Sequence, residues 1–207
     1  MSTPHDTTGT DRRDFLRQSG YLAIGFSLLG LQRCGGEAAA GGPGGSAERS
    51  TEEPPDSDQI NAWLRVHGDS TVTILTGKIA IGQGILVALR QIAAEELDLP
   101  LDRVRIIMAD TGNTPNESYT AGSASIEGSG TSIRRAAATA RRQLLERAAD
   151  QLGAAVADLT VTDGVITAAG GGERSFGELV AGERLTHRVS GDAPQKDPSD
   201  YRLVGKP

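Results

Sequence analysis

Gly77-Lys78-Ile79-Ala80-Ile81-Gly82-Gln83-Gly84 stands between the strand-like run Thr71-Val72-Thr73-Ile74-Leu75 and an amphipathic stretch that begins at Ile85. Glycine has no Cβ, so a corner built from several of them lets the backbone come close to whatever it faces. A helix opening at Ile85 starts with amides that have no partner inside it, and such a start favours an anion. A second small-residue stretch, Tyr119-Thr120-Ala121-Gly122-Ser123-Ala124-Ser125, also lies just ahead of a predicted helix. Two such turns facing one site can hold a large, phosphate-bearing ligand.

Outward from the corner, Asn61-Ala62-Trp63-Leu64-Arg65-Val66 and Thr71 to Leu75 read as two strands joined by a His67-Gly68-Asp69-Ser70 turn. His67 is taken simply as a turn residue. Leu86, Leu89, Ala93 and Leu97 recur at helical spacing from Ile85 to Asp98, and Leu99-Pro100 ends the helix. Val104, Ile106 and Met108 alternate as a half-buried strand. Strand, loop, helix, strand is a βαβ-type unit, whose ligands usually sit where the first strand ends and the helix begins.

Asp110 to Gly130 reads as a loop longer than a plain connector needs, so it is either disordered or held by a ligand or partner. Ile133, Ala137, Ala140, Leu144, Ala148 and Leu152 then share one helical stripe, with Gly153 as the stop. Arg134, Arg135, Arg141, Arg142 and Arg147 fall mostly off that stripe and are read as a solvated or subunit-facing surface. Asp163-Gly164 between two apolar runs signals a hairpin, and Ser175-Phe176-Gly177-Glu178 a capping box. After Arg188 the chain turns polar and stops at Pro207 without a closing element, as if cut. The fold class expected for residues 58–207 is α+β, a mixed sheet with packed helices.

The N-terminal part is expected to lie outside that fold. Asp11-Arg12-Arg13-Asp14-Phe15-Leu16-Arg17 precedes the short apolar run Tyr21 to Leu31, a pattern similar to a twin-arginine export signal. The run is shorter than the roughly 20 residues that cross a bilayer. Gln32 and Arg33 are poor neighbours for lipidation of Cys34, and cleavage after Ala38-Ala39-Ala40 fits the small-residue rule better. Residues 1–40 are therefore read as a signal segment and 41–57 as a flexible linker rich in Gly, Ala, Ser, Glu and Pro. An uncleaved signal that anchors the protein in the membrane is the alternative. Twin-arginine export carries folded proteins, which suits one that takes up a cofactor first, and it places this protein in the periplasm.

Composition removes several functions. A net charge of −6 argues against a nucleic-acid binder. The three histidines and single cysteine are too far apart to build a protein-ligated metal centre. Lys78 is followed by Ile79 where a phosphate-binding P-loop needs Ser or Thr, and Val87 stands where a dinucleotide fingerprint needs its third glycine. No nucleophile elbow surrounds Ser123, Ser125 or Ser129. Gln83 could equally cap its own loop.

Taken together and in order, four segments resemble the molybdenum hydroxylases. They are Thr76 to Ile85, Ala88 to Leu97, Ala109-Asp110-Thr111, and Pro115 to Ile126. More narrowly they resemble the large, molybdopterin-binding (beta) subunit of isoquinoline 1-oxidoreductase-type enzymes in the xanthine dehydrogenase and aldehyde oxidase superfamily. Asp200-Tyr201-Arg202-Leu203-Val204-Gly205 is similar to that subunit's next segment. The resemblance covers residues 60–207 and implies the N-terminal part of a module that binds molybdopterin cytosine dinucleotide. It places Gly82, Gln83 and Gly84 near the pterin or phosphates, with Ala121, Gly122, Ser123 and Ser125 lining the same ligand. The metal's sulfur ligands then come from the pterin.

The resemblance further implies hydroxylation of an aldehyde or N-heteroaromatic small-molecule substrate with oxygen from water. Electrons would leave through a small partner subunit holding a [2Fe-2S] cluster, since one cysteine cannot hold it here. Two departures stand out. Ala80 and Ile81 occupy positions where the family often has an acidic residue, and no Gly-x-Gly-Glu stretch supplies the family's glutamate base. No catalytic residue is therefore assigned, and Glu117 and Glu127 are taken as solvated loop carboxylates. On this reading the 207 residues are an inactive piece of a longer enzyme; a non-catalytic exported α+β binding module is the rival.

Overall fold

The computed structural model describes residues 55–205. The signal segment, Cys34 and nearly all of the linker lie outside the described residues. Two three-stranded sheets and two principal helices make up the fold, in agreement with the α+β class.

In the first sheet, β1 (Leu64–Val66) pairs antiparallel and β3 (Val104–Met108) pairs parallel with the central β2 (Val72–Thr76). Every residue of β2 is buried, as a strand flanked on both edges must be, while β3 alternates inward and outward. Between β2 and β3 runs α2 (Ile85–Leu97), which buries Ile85, Leu89, Ala93 and Leu97 and ends with Asp98 in the left-handed region. This is the anticipated βαβ unit.

One expected strand is half helix. Ile60–Trp63 forms a single turn, α1, and only the following three residues pair with β2. Distant partners decide this: the Ile60 amide donates to the His187 carbonyl at 2.9 Å, and Trp63 Nε1 donates to the Ser57 carbonyl at 2.7 Å. β-propensity at Ile60 and Trp63 yields to those bonds.

α3 (Thr131–Leu152) packs on α2 and carries its predicted stripe inward, with Ile133, Ala137, Ala140, Leu144 and Ala148 fully buried. The chain enters α3 through a π-helix, Ala124–Gly130, so the expected loop becomes helical from Gly122 onward. The second sheet is the β4 (Leu159–Thr162) and β5 (Val165–Ala168) hairpin plus β6 (Glu173–Ser175), an edge strand the sequence pattern does not show. Asp163 and Gly164 both take positive φ, the two-residue turn a hairpin prefers. Ser175 and Glu178 close the predicted capping box on α4 (Phe176–Val180).

The arginines of α3 are ties, not a solvated face. Arg134 bonds Glu96 and the Lys196 carbonyl, Arg141 bonds Asp98, Arg142 bonds Ser190, and Arg147 bonds the Leu179 carbonyl. Arg135 alone of the five is exposed. The polar segment after Arg188 likewise docks: the Glu95 carboxylate accepts the amides of Arg202, Leu203 and Val204 at 3.0, 2.5 and 2.8 Å.

Candidate functional site

β2 delivers the chain at Thr76 into the glycine corner, and parallel β3 delivers it at Met108 into the second loop, so both loops leave from the same end of the sheet. Their meeting is fastened by side chains. The Glu117 carboxylate accepts the Thr76 hydroxyl at 2.5 Å and the Gly77 amide at 2.7 Å. Lys78 turns inward, and its ammonium donates to the carbonyls of Glu117 and Tyr119 at 2.6 and 3.0 Å. Thr120 Oγ1 accepts the Ile79 amide at 2.9 Å. Glu117 is thus no merely solvated carboxylate; its charge is held by the turn it organises. Glu127 stays exposed.

Gly77 is required here by close approach, since a Cβ would lie 2.6 Å from the Pro115 carbonyl oxygen. Gly82 and Gly84 are required by conformation, with φ of 92° and 78°. Gln83 closes its own turn: Oε1 accepts the Ile81 amide at 2.7 Å and Nε2 donates to the Ile79 carbonyl at 3.0 Å.

Beyond this clasp opens a cleft of about 460 Å³ lined by Ile81, Gln83, Ile85, Ala88, Thr120, Ala121, Gly122, Ser125 and Ile126. Four of the seven residues singled out from sequence, Gln83, Ala121, Gly122 and Ser125, share its wall. Gly82, Gly84 and Ser123 are not part of the wall, although each adjoins a residue that is. The Ser125 hydroxyl donates to the Ala121 carbonyl at 2.7 Å, so its proton is already engaged. A second cleft of about 470 Å³ lies against Gly77, Ile79, Ala109 and the 114–118 segment.

Two helix starts border the Gln83 cleft. Gly84 caps α2 without a side-chain bond, and the amides of Gly82, Gln83, Gly84, Ile85 and Leu86 find no acceptor among the described residues. The amides of Gly122, Ser123 and Ala124 are equally free among them. Converging free amides suit an acceptor-rich, anionic ligand without burying an unpaired charge. Lys78, Glu117 and Thr120 are the site residues that sequence reasoning passed over. The signal available was Lys78 itself, a charged residue between a buried strand and a glycine corner.

Comparison with known proteins decides the family. A family model described as "Molybdopterin cofactor-binding domain" matches residues 34–201. The chain belongs to this family of the molybdenum hydroxylases. The nicotinate dehydrogenase B-type subunit of Pseudomonas putida is 38% identical over 164 residues, which cover 79% of this chain and 14% of that protein. The beta subunit of isoquinoline 1-oxidoreductase from Brevundimonas diminuta is 28% identical over 208 residues, covering 95% and 25% respectively. Among solved structures, reconstituted CO dehydrogenase from Oligotropha carboxidovorans aligns with a TM-score of 0.50 at 27% identity, over 56% of this chain and 15% of that one. The chain therefore spans a quarter or less of the molybdopterin-family relatives it matches.

Proposed function

We propose that the chain forms part of a molybdopterin cytosine dinucleotide-binding module, and that the whole protein is an exported oxidoreductase. Its reaction is hydroxylation, with oxygen from water, of an aldehyde or N-heteroaromatic substrate. Export uses the twin-arginine pathway, with the signal at residues 1–40, and the protein works in the periplasm. Electrons pass to a small [2Fe-2S] partner subunit; the names of both relatives describe single subunits of larger enzymes, in keeping with such a partner.

One observation carries the reading. The first turns at Gly84 and Gly122 border one cleft and leave their amides without protein acceptors among the described residues. That donor set fits a pterin bearing phosphates, whose oxygens and ring positions are acceptors. When bound, the cofactor supplies the molybdenum at which substrate is oxidised. The chain's own residues bind and orient it. Gln83 holds the glycine turn open toward the cleft, Gly122 leaves room where a side chain would intrude, and Ile81 and Ile126 present apolar walls. The described residues are given no role in proton transfer.

The test is to express the protein with its iron–sulfur partner in a host that makes the cofactor. Molybdenum, pterin fluorescence and released cytidine monophosphate are then measured per chain. The proposal expects about one of each per chain, and active protein free of metal and pterin refutes it.

A further inference from the structure

Lys78 inverts the usual arrangement of its turn. Its side chain is buried, at 3% exposure, while the neighbouring apolar Ile79 and Ile81 are 51% and 77% exposed. Lysine ordinarily keeps its ammonium in water, and burial is costly unless its protons are bonded. Among the described residues no carboxylate makes an ion pair with it; its ammonium is held by two backbone carbonyls. Those carbonyls belong to Glu117 and Tyr119, just ahead of the Ala121-Gly122 turn that lines the cleft.

From this geometry we infer that Lys78 is a positioning residue that sets the spacing between the two turns of the cofactor cleft, an inference resting on the function proposed above. The other ties act elsewhere along the same strap. Glu117 fixes the loop to Thr76 and Gly77 at the end of β2, and Thr120 fixes it to the Ile79 amide. Lys78 alone joins two carbonyls two residues apart, so it orients the stretch leading into Gly122. The hydrophobic core does not include it. Losing the ammonium therefore loosens the cleft while the helices stay packed.

The test uses the full chain and compares Lys78→Met with Lys78→Arg. Hydrogen exchange is read on pterin-free protein at Ile79–Gly84 and Tyr119–Ser125, with α3 amides as the folding reference. Bound pterin is read on protein made in a cofactor-producing host. In K78M both turns exchange about tenfold faster, the α3 reference is unchanged, and bound pterin falls about tenfold. K78R, which keeps the charge and the donors, recovers most of both. Unchanged exchange and pterin in K78M overturn the inference. So does α3 exchange that accelerates in step with the turns in K78M and in the milder Lys78→Gln alike, because Lys78 then only stabilises the fold. A wild-type chain that takes up no pterin overturns the proposed function instead, while pterin-free exchange still decides the strap.

Discussion

Arg134 Nε donates to Glu96 Oε1 at 2.6 Å, and this pair locks α3 to α2. Glu96 is 1% exposed and also accepts the Lys196 amide at 3.0 Å, while Arg134 reaches the Lys196 carbonyl and lies 5.7 Å from the centre of the Tyr201 ring. Breaking a buried pair from one side leaves the other charge uncompensated. Glu96→Ala is expected to destabilise the chain by about 3 kcal/mol, more than the double variant Glu96→Gln with Arg134→Met. Urea unfolding midpoints of the single and double variants measure the difference.

Glu95 makes docking of the C-terminal segment sensitive to pH. Burial favours its neutral form, but the amides of Arg202, Val204 and Leu203, with Lys196, outweigh that, so its pKa lies below the ordinary glutamate value. A depressed pKa contributes stability that is present above the unfolded value and is lost as pH falls through the folded one. Below about pH 4, then, the Arg202–Val204 amides are expected to lose exchange protection. In Glu95→Gln that loss is already present at neutral pH and changes little on acidification.

What the sequence shows in advance follows from the range of each interaction. The stripes of α2 and α3, the Asp163-Gly164 turn and the Ser175–Glu178 box are local, so a few neighbouring residues suffice to specify them. The bond from Lys78 to the Glu117 carbonyl spans 39 positions, and each partner by itself has the composition of a solvated surface. β6 is equally hidden, because Glu173-Arg174-Ser175 has no apolar alternation and becomes a strand only by pairing with β5. Gly122 to Gly130 resembles a loop because glycine and serine are weak helix formers; packing against α2, with Gly130 close to Ile92, holds that segment helical. The cleft was legible as two glycine-rich turns. The clasp that brings them together was not.

Gly177 tests how tightly the second sheet's helix seats on the β1–β2 turn. Its amide donates to Ser70 Oγ at 2.9 Å, and a Cβ there would lie within 2.1 Å of the Gly68 carbonyl oxygen. The obstacle is backbone, which cannot swing aside as a side chain would. Gly177→Ala is expected to cost about 3 kcal/mol. Gly170→Ala, where a Cβ meets nothing within 4 Å, serves as the near-neutral control. Thermal unfolding of both variants separates the steric effect from a general intolerance of the substitution.

Gln83 separates loop closure from charge at the cleft. Its amide both accepts from Ile81 and donates to Ile79, so Gln83→Ala removes both bonds and leaves the turn to its glycines. Gln83→Glu keeps the acceptor but faces the Ile79 carbonyl with a second oxygen where a donor stood. It also adds a negative charge beside free amides suited to an anion. Bound pterin is expected to fall about tenfold in Q83A, the effect of losing two neutral hydrogen bonds at an exposed turn, and further in Q83E. Pterin fluorescence per chain, read with α3 exchange as the folding control, gives that order. Equal pterin in Q83A and wild type means that the turn holds its shape without the side chain, and Q83E retaining as much as Q83A means that no anion is bound beside it.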